Sequence, residues 1–252
     1  MIMPVTHDHA SARRALMRRD PVLAAIIRRH GPCALGAVRD HFDHFAMLVR
    51  AIVFQQLSTK AATTIHTRLM ACLPGGTPSP AGLVSLTDAQ LRAAGISRQK
   101  AAYLRDLGAK VSGGAVPPEA IDTLNDEEVI AALTQVKGIG RWTAEMFLIF
   151  RLQRPDVLPL TDLGIINAIQ KAYRLRKTPT PARMRQLGEA WRPYRSVASW
   201  YLWRSLDPPS PSASARQAPP SPRTSARKAP RPPSASARQP RTVSARKEKS
   251  SR

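Results

Sequence analysis

The chain of 252 residues sets 39 Lys+Arg against 17 Asp+Glu, a formal net charge of +22 with a pI near 11.4, which points to a polyanionic partner. Residues 208–252 hold 11 of the Lys/Arg and one acid, Glu248, so the other 207 residues keep a net +12 of their own. Two cysteines, Cys33 and Cys72, exclude a four-cysteine zinc or iron–sulfur site, and without an apolar leader or a run of about 18 apolar residues the reading is a soluble, intracellular protein of a reducing compartment.

In chain order, residues 1–13, with His7-Asp8-His9, read as a flexible N-terminus, and 14–206 as one helical domain. His41 to Val53 places Phe42, Phe45, Val49 and Ile52/Val53 on one helical face. His41 and His44 lie a turn apart there, but no third ligand is near in sequence, so a metal site is not read from them. Ser58 caps a second helix with the stripe Ala62, Ile65, Leu69 and Cys72, and Pro74-Gly75-Gly76 ends it. Thr87 caps a helix through Leu91, and another runs from Arg98 to Val111. Asn125-Asp126-Glu127-Glu128 has capping-box spacing and opens a helix to Gln135; Leu163 to Tyr173 forms one more. No period-2 pattern is present, and the class is all-α. The segment 207–252 is rich in Pro, Ser, Ala and Arg, with Ser-Ala-Arg at 214–216, 225–227, 236–238 and 244–246. It cannot bury enough apolar area to offset chain entropy, so it reads as disordered, either a phosphate-binding arm or a solubilising tail.

Between two helices stands Thr134-Gln135-Val136-Lys137-Gly138-Ile139-Gly140-Arg141-Trp142. Two glycines around one aliphatic residue allow a tight turn whose N–H groups can meet a phosphate, and the dipole of the following helix points the same way. Taken alone, Gly-Ile-Gly is better explained by a structural turn; the flanking helices favour a nucleic-acid hairpin.

Val136-Lys137-Gly138-Ile139-Gly140-Arg141-Trp142-Thr143-Ala144 resembles the signature of the helix-hairpin-helix (HhH-GPD) DNA glycosylase superfamily. Twenty-two residues after Gly140, Leu158-Pro159-Leu160-Thr161-Asp162 resembles the loop that ends in that family's catalytic aspartate. Phe54-Gln55-Gln56-Leu57-Ser58-Thr59-Lys60-Ala61-Ala62 is similar to its minor-groove segment, and Gly95-Ile96-Ser97-Arg98-Gln99-Lys100 also matches in place. Trp191-Arg192-Pro193-Tyr194-Arg195-Ser196 and Trp203 are similar to the closing helix of the 3-methyladenine DNA glycosylase II branch. The resemblance implies a two-lobed helical fold and an enzyme that flips an alkylated base out of duplex DNA and hydrolyses its N-glycosidic bond, as a monomer with no required cofactor.

Asp162 is then the carboxylate that stabilises positive charge on the sugar and orients water, though an aspartate at a helix start is also a plain N-cap. Trp142 stands where strand-nicking relatives carry a lysine, so the enzyme is expected to be monofunctional; Lys137 lies in the turn and does not replace that lysine. Trp142 and Trp203 form the base pocket with Met146, where some relatives have tyrosine; core packing is the competing reading for either indole, and Trp200 is assigned to the core. Gln55, Gln56 and Leu57 are the minor-groove contacts, with Gln56 or Leu57 as the wedge, and Leu57 is equally a core candidate. Gly138, Gly140, Lys137 and Arg141 are expected at a phosphate, with Arg98 and Lys100 as further candidates. The backbone of Thr134, Val136 and Ile139 is expected to hold a structural Na+ or K+. Asp156 reads as solvated, and Arg195 as a brace for the Asp162 loop. The alternatives are a non-catalytic hairpin DNA-binding protein and a glycosylase for a different lesion.

Overall fold

A computed structural model describes residues 9–36 and 43–207. Among the described residues there are twelve α-helices and no strand. They are α1 (His9–Arg19), α2 (Pro21–His30), α3 (His44–Phe54), α4 (Thr59–Ala71), α5 (Pro80–Ser85), α6 (Asp88–Ala93) and α7 (Arg98–Ser112), followed by α8 (Asp126–Thr134), α9 (Arg141–Met146), α10 (Leu163–Ala172), α11 (Pro181–Gly188) and α12 (Arg195–Arg204). A π-turn, Phe147–Arg151, prolongs α9.

The helix starts follow local chemistry. Ser58, Thr87, Ser97, Asn125 and Asp162 each accept a backbone N–H of the first turn, and Thr87–Gln90 and Asn125–Glu128 close reciprocal capping boxes. The apolar faces then decide the packing. One set of helices joins α3 to α4 and α7, with α5 and α6 against α7; the other joins α1, α2 and α10 to α12. The hairpin pair α8–α9 packs on itself, and the π-turn reaches α3. One continuous apolar core, from Leu16 through Leu48, Leu104 and Leu148 to Leu202, runs through both sets.

The N-terminus departs from the sequence reading, because α1 begins at His9 and buries Ala12, Ala15 and Leu16. His9 Nε2 lies 2.7 Å from the Leu35 carbonyl oxygen. Residues 1–8 and the tail 208–252, including the Ser-Ala-Arg repeats, lie outside the described residues, as do His41 and Phe42. Asp20 ties the second set together: it caps α2 through the N–H groups of Val22 and Leu23, accepts the Tyr173 hydroxyl, and accepts Trp191 Nε1 at 2.8 Å. Burial and this carboxylate push the Tyr173 hydroxyl well above its ordinary range. Trp191 is fully buried, whereas Trp200, assigned to the core from the sequence, is only half-buried, edge-on to Tyr201.

Candidate active site

Asp162 takes the helix-cap role that its sequence position allowed, and it gathers further donors besides. Its Oδ1 accepts the Ile165 N–H at 2.7 Å, which is the N-cap of α10. The same carboxylate accepts two indole N–H groups, Trp203 Nε1 on Oδ1 at 2.8 Å and Trp142 Nε1 on Oδ2 at 2.7 Å. A carboxylate that is 9% exposed thus takes three N–H donors, which fix its orientation.

Around it lies apolar surface that the core does not cover. Trp142 is 46% exposed, Phe150 48% and Leu163 73%. Phe150 stacks on Trp203 with ring centroids 5.7 Å apart and planes at 27°. Exposed aromatics around a nearly buried carboxylate mark a binding surface for a flat, apolar-faced group. Sequence reasoning missed Phe150 and Leu163. Leu163 directly follows Asp162 and could have been found from that adjacency, whereas Phe150 is presented by the π-turn, which no periodicity announces. Met146 lies one turn beyond Trp142, half-buried against the core.

The hairpin presents its backbone. Ile139 N–H closes the turn on the Val136 carbonyl at 3.0 Å, and Lys137 N–H is taken by Asp106 Oδ2 at 2.8 Å. The Gly138 and Gly140 amides have no acceptor among the described residues. Gly140 is the N-cap of α9 and, having no side chain, leaves the first-turn donors open. Gly138 cannot be another residue: its φ is +82°, and a Cβ there would stand 2.2 Å from the Tyr103 ring. Ile139 is buried between the helices.

The neighbouring segment is tied to this turn. Gln55 Nε2 donates to the Gly138 carbonyl at 2.8 Å, so this glutamine supports the hairpin. Gln56 sits exposed in the left-handed region, φ +56°, and Leu57 is 39% exposed, which disfavours the core reading of Leu57.

Several cations are committed elsewhere than the sequence suggested. Lys100 Nζ donates to the carbonyls of Val53 and Gln55, both at 2.7 Å, and so closes the end of α3 instead of facing a phosphate; burial lowers its pKa. Arg141 forks onto Glu127 at 2.6 and 3.1 Å and donates Nε to Glu145 at 3.1 Å, because the two carboxylates flank it on α8 and α9. The Arg141 hydrogen bond holds Glu127 below the usual carboxylate range, while burial raises Glu145. Lys137 and Arg98 are exposed, and Lys137 Nζ lies 4.0 Å from Asp106.

Asp156 is not solvated, as its sequence position suggested. Arg192 reaches it at 2.8 Å and Arg195 at 2.7 Å, and Arg195 also donates to its carbonyl at 2.7 Å. Ser196 donates to the Arg154 carbonyl and accepts Val157 N–H. The start of α12 thereby fixes the loop that leads to Asp162, which is the bracing expected of Arg195. His44 sits between Asp122 and Arg151, at 2.9 Å from each, and no cluster of three or more His, Cys, Asp or Glu side chains that could hold a metal ion occurs among the described residues. No helix among them is long and apolar enough to cross a membrane.

The profile of the HhH-GPD superfamily base excision DNA repair protein matches residues 49–193. The chain is 40% identical over 165 residues to the DNA-3-methyladenine glycosylase 1 of Schizosaccharomyces pombe, covering 65% of this chain and 72% of that protein. It is 32% identical to the putative DNA-3-methyladenine glycosylase YfjP of Bacillus subtilis, across 73% of this chain and 66% of the relative. In three dimensions it is similar to the S. pombe 3-methyladenine DNA glycosylase solved with abasic DNA, at 34% identity and a TM-score of 0.66, covering 77% of this chain and 96% of that one. A DNA-3-methyladenine glycosidase from Bacillus halodurans gives a TM-score of 0.70 at 32% identity, over 81% and 91% of the two chains. With the hairpin, the aspartate loop and the closing helix assembled around one carboxylate, the chain belongs to the HhH-GPD superfamily of base excision DNA repair proteins.

Proposed function

We propose that this protein is a monofunctional DNA glycosylase, acting as a monomer, that flips an alkylated base of the 3-methyladenine or 7-methylguanine type out of duplex DNA and hydrolyses its N-glycosidic bond. The observation that carries the reading is the carboxylate of Asp162, fixed by the indole N–H groups of Trp142 and Trp203 beside exposed aromatic surface. An alkylated purine is electron-poor and often cationic, so it stacks well on electron-rich rings and is already a good leaving group. The scission step then needs little more than stabilisation of the sugar cation. Asp162 supplies that charge and orients the water that attacks C1′, while the abasic strand stays intact. No lysine stands at 142, and the hairpin lysine is 72% exposed beside Asp106, so it does not supply the missing amine for a Schiff base.

The remaining parts bind the duplex. The open amides of Gly138, Gly140 and the first turn of α9 suit a phosphate of the backbone. Gln56 and Leu57, both exposed, suit the minor groove and the gap left by the flipped base. The carbonyls of Thr134, Val136 and Ile139 are hard oxygen donors that suit Na+ or K+ beside that phosphate; the Val136 oxygen keeps a lone pair beyond its bond to Ile139. Arg141 is not assigned to the phosphate, because two carboxylates hold it.

The test is incubation with methylated duplex DNA, chromatography of the released bases, and borohydride treatment of the mixture. Free methylated purine, an alkali-labile strand and no trapped protein–DNA adduct are expected. Binding without base release would favour the non-catalytic hairpin protein, and efficient trapping would overturn the monofunctional assignment.

A further inference from the structure

Gly164 stands in the first turn of α10, where glycine fixes the backbone less well than alanine, so its presence there calls for a reason. The reason is space. A Cβ on Gly164 would stand 2.9 Å from Trp203 Cδ1, 3.0 Å from Asp162 Oδ1 and 3.1 Å from Trp203 Nε1. None of these atoms is the free end of a flexible chain. The indole is stacked on Phe150 and bound to Oδ1, and Oδ1 is bound in turn to Ile165 N–H. Trp203 reaches the carboxylate only across the bare Cα of residue 164.

The two oxygens of Asp162 are consequently unequal. A carboxylate oxygen offers two lone pairs. Both on Oδ1 are occupied, by Ile165 N–H and Trp203 Nε1–H, while among the described residues Oδ2 accepts only Trp142 Nε1–H. We propose that Gly164 is a positioning residue for base excision: its missing Cβ admits Trp203 to Oδ1, and the filled Oδ1 leaves Oδ2 as the oxygen that faces the sugar cation and the attacking water. This rests on the reading of Asp162 as the reacting carboxylate. Without Trp203 only one donor holds Oδ1, the carboxylate can rotate, and its charge is no longer aimed at the sugar before the bond breaks.

The test compares Gly164→Ala, Trp203→Phe and the double variant, each as the full chain with 15N-labelled indoles, on methylated and abasic duplexes. The four tryptophans supply four assignable N–H signals. In Gly164→Ala the Trp203 signal is expected to move and to exchange faster with solvent, while that of Trp191, bound at Asp20, stays. Single-turnover base release should slow by about ten- to a hundredfold, in line with loss of one preorganised contact. Affinity for abasic duplex should hold. Phenylalanine at 203 cannot donate, so adding Gly164→Ala to Trp203→Phe should cost clearly less than the two single losses multiplied. An unmoved Trp203 signal, a wild-type rate with a moved signal, or losses that multiply in the double variant would each overturn the proposal. Should Gly164→Ala fail to fold, Trp203→Phe alone decides, because it keeps an aromatic ring against Phe150 and a wild-type rate there contradicts the role of Oδ1. Asp162→Asn, run alongside, separates the two readings: base release that survives it means the carboxylate itself was misassigned.

Discussion

Asp162 starts a helix and, in the proposed reaction, also meets a developing cation; the two demands are compatible because they use different lone pairs. The Ile165 amide needs only Oδ1. Asparagine at 162 keeps an oxygen for that cap but presents an NH2 group to Trp142 Nε1, a donor facing a donor, and removes the charge. Asp162→Asn should therefore fold normally, bind abasic duplex, and lose on the order of 10²-fold or more in single-turnover base release. A near-wild-type rate would reduce the residue to a helix cap. At this scale the sequence was legible wherever a residue sat in a run with its own pattern, as Asp162 and Trp142 do. It was silent on Phe150 and Gly164, whose neighbours, Trp203 above all, come from a distant helix.

Among the elements, the hairpin behaves as a backbone device on a side-chain frame. Tyr103 of α7 lies under Gly138, Gln55 from the end of α3 holds the Gly138 carbonyl, and Lys100 closes α3 so that Gln56 and Leu57 project. Arg141 belongs to that frame, joining α8 to α9 through Glu127 and Glu145. Its outer pair with Glu127 is exposed and contributes little by itself, whereas Glu145 is buried and depends on the guanidinium to offset its burial. Arg141→Ala is accordingly expected to lower thermal stability modestly and to leave the salt dependence of duplex binding unchanged. Titration of binding against salt checks this: a fall of about 0.9 in the slope of log K against log[salt] would mean that a phosphate does take the guanidinium. The capping boxes at Thr87 and Asn125 were readable because they need only residues three apart. The partners of Arg141 and Lys100 were not, since a cation near a hairpin looks the same in sequence whether it faces phosphate or carboxylate.

For the molecule as a whole, charge is divided between a domain and residues 208–252, which hold 11 Lys/Arg. None of the motif residues lies in that segment, so its removal should leave the single-turnover rate nearly unchanged. Each engaged cation contributes roughly 0.9 to the salt slope, and engagement of only some of the cations at once gives an expected decrease of about 2–5. Binding of the full and the shortened chain to damaged and undamaged duplex over a range of salt tests this. Equal slopes would identify the segment as a passive solubiliser, and a lost preference for damage would place it in the active site.

What the sequence determined by itself is what short-range rules govern: helix starts set by side chains three residues apart, the glycine turn, the helical class, and the motif order that marks the family. What only the tertiary structure decided is where non-adjacent segments meet. The helix α1, with few apolar residues in HASARRALMRR, looks like a frayed terminus until Ala12, Ala15 and Leu16 find α2 and α12. Asp156 looks solvated until Arg192 and Arg195 close on it. The two lone pairs of Asp162 Oδ1 are filled from positions 165 and 203, one reachable by counting along a helix and the other only by folding.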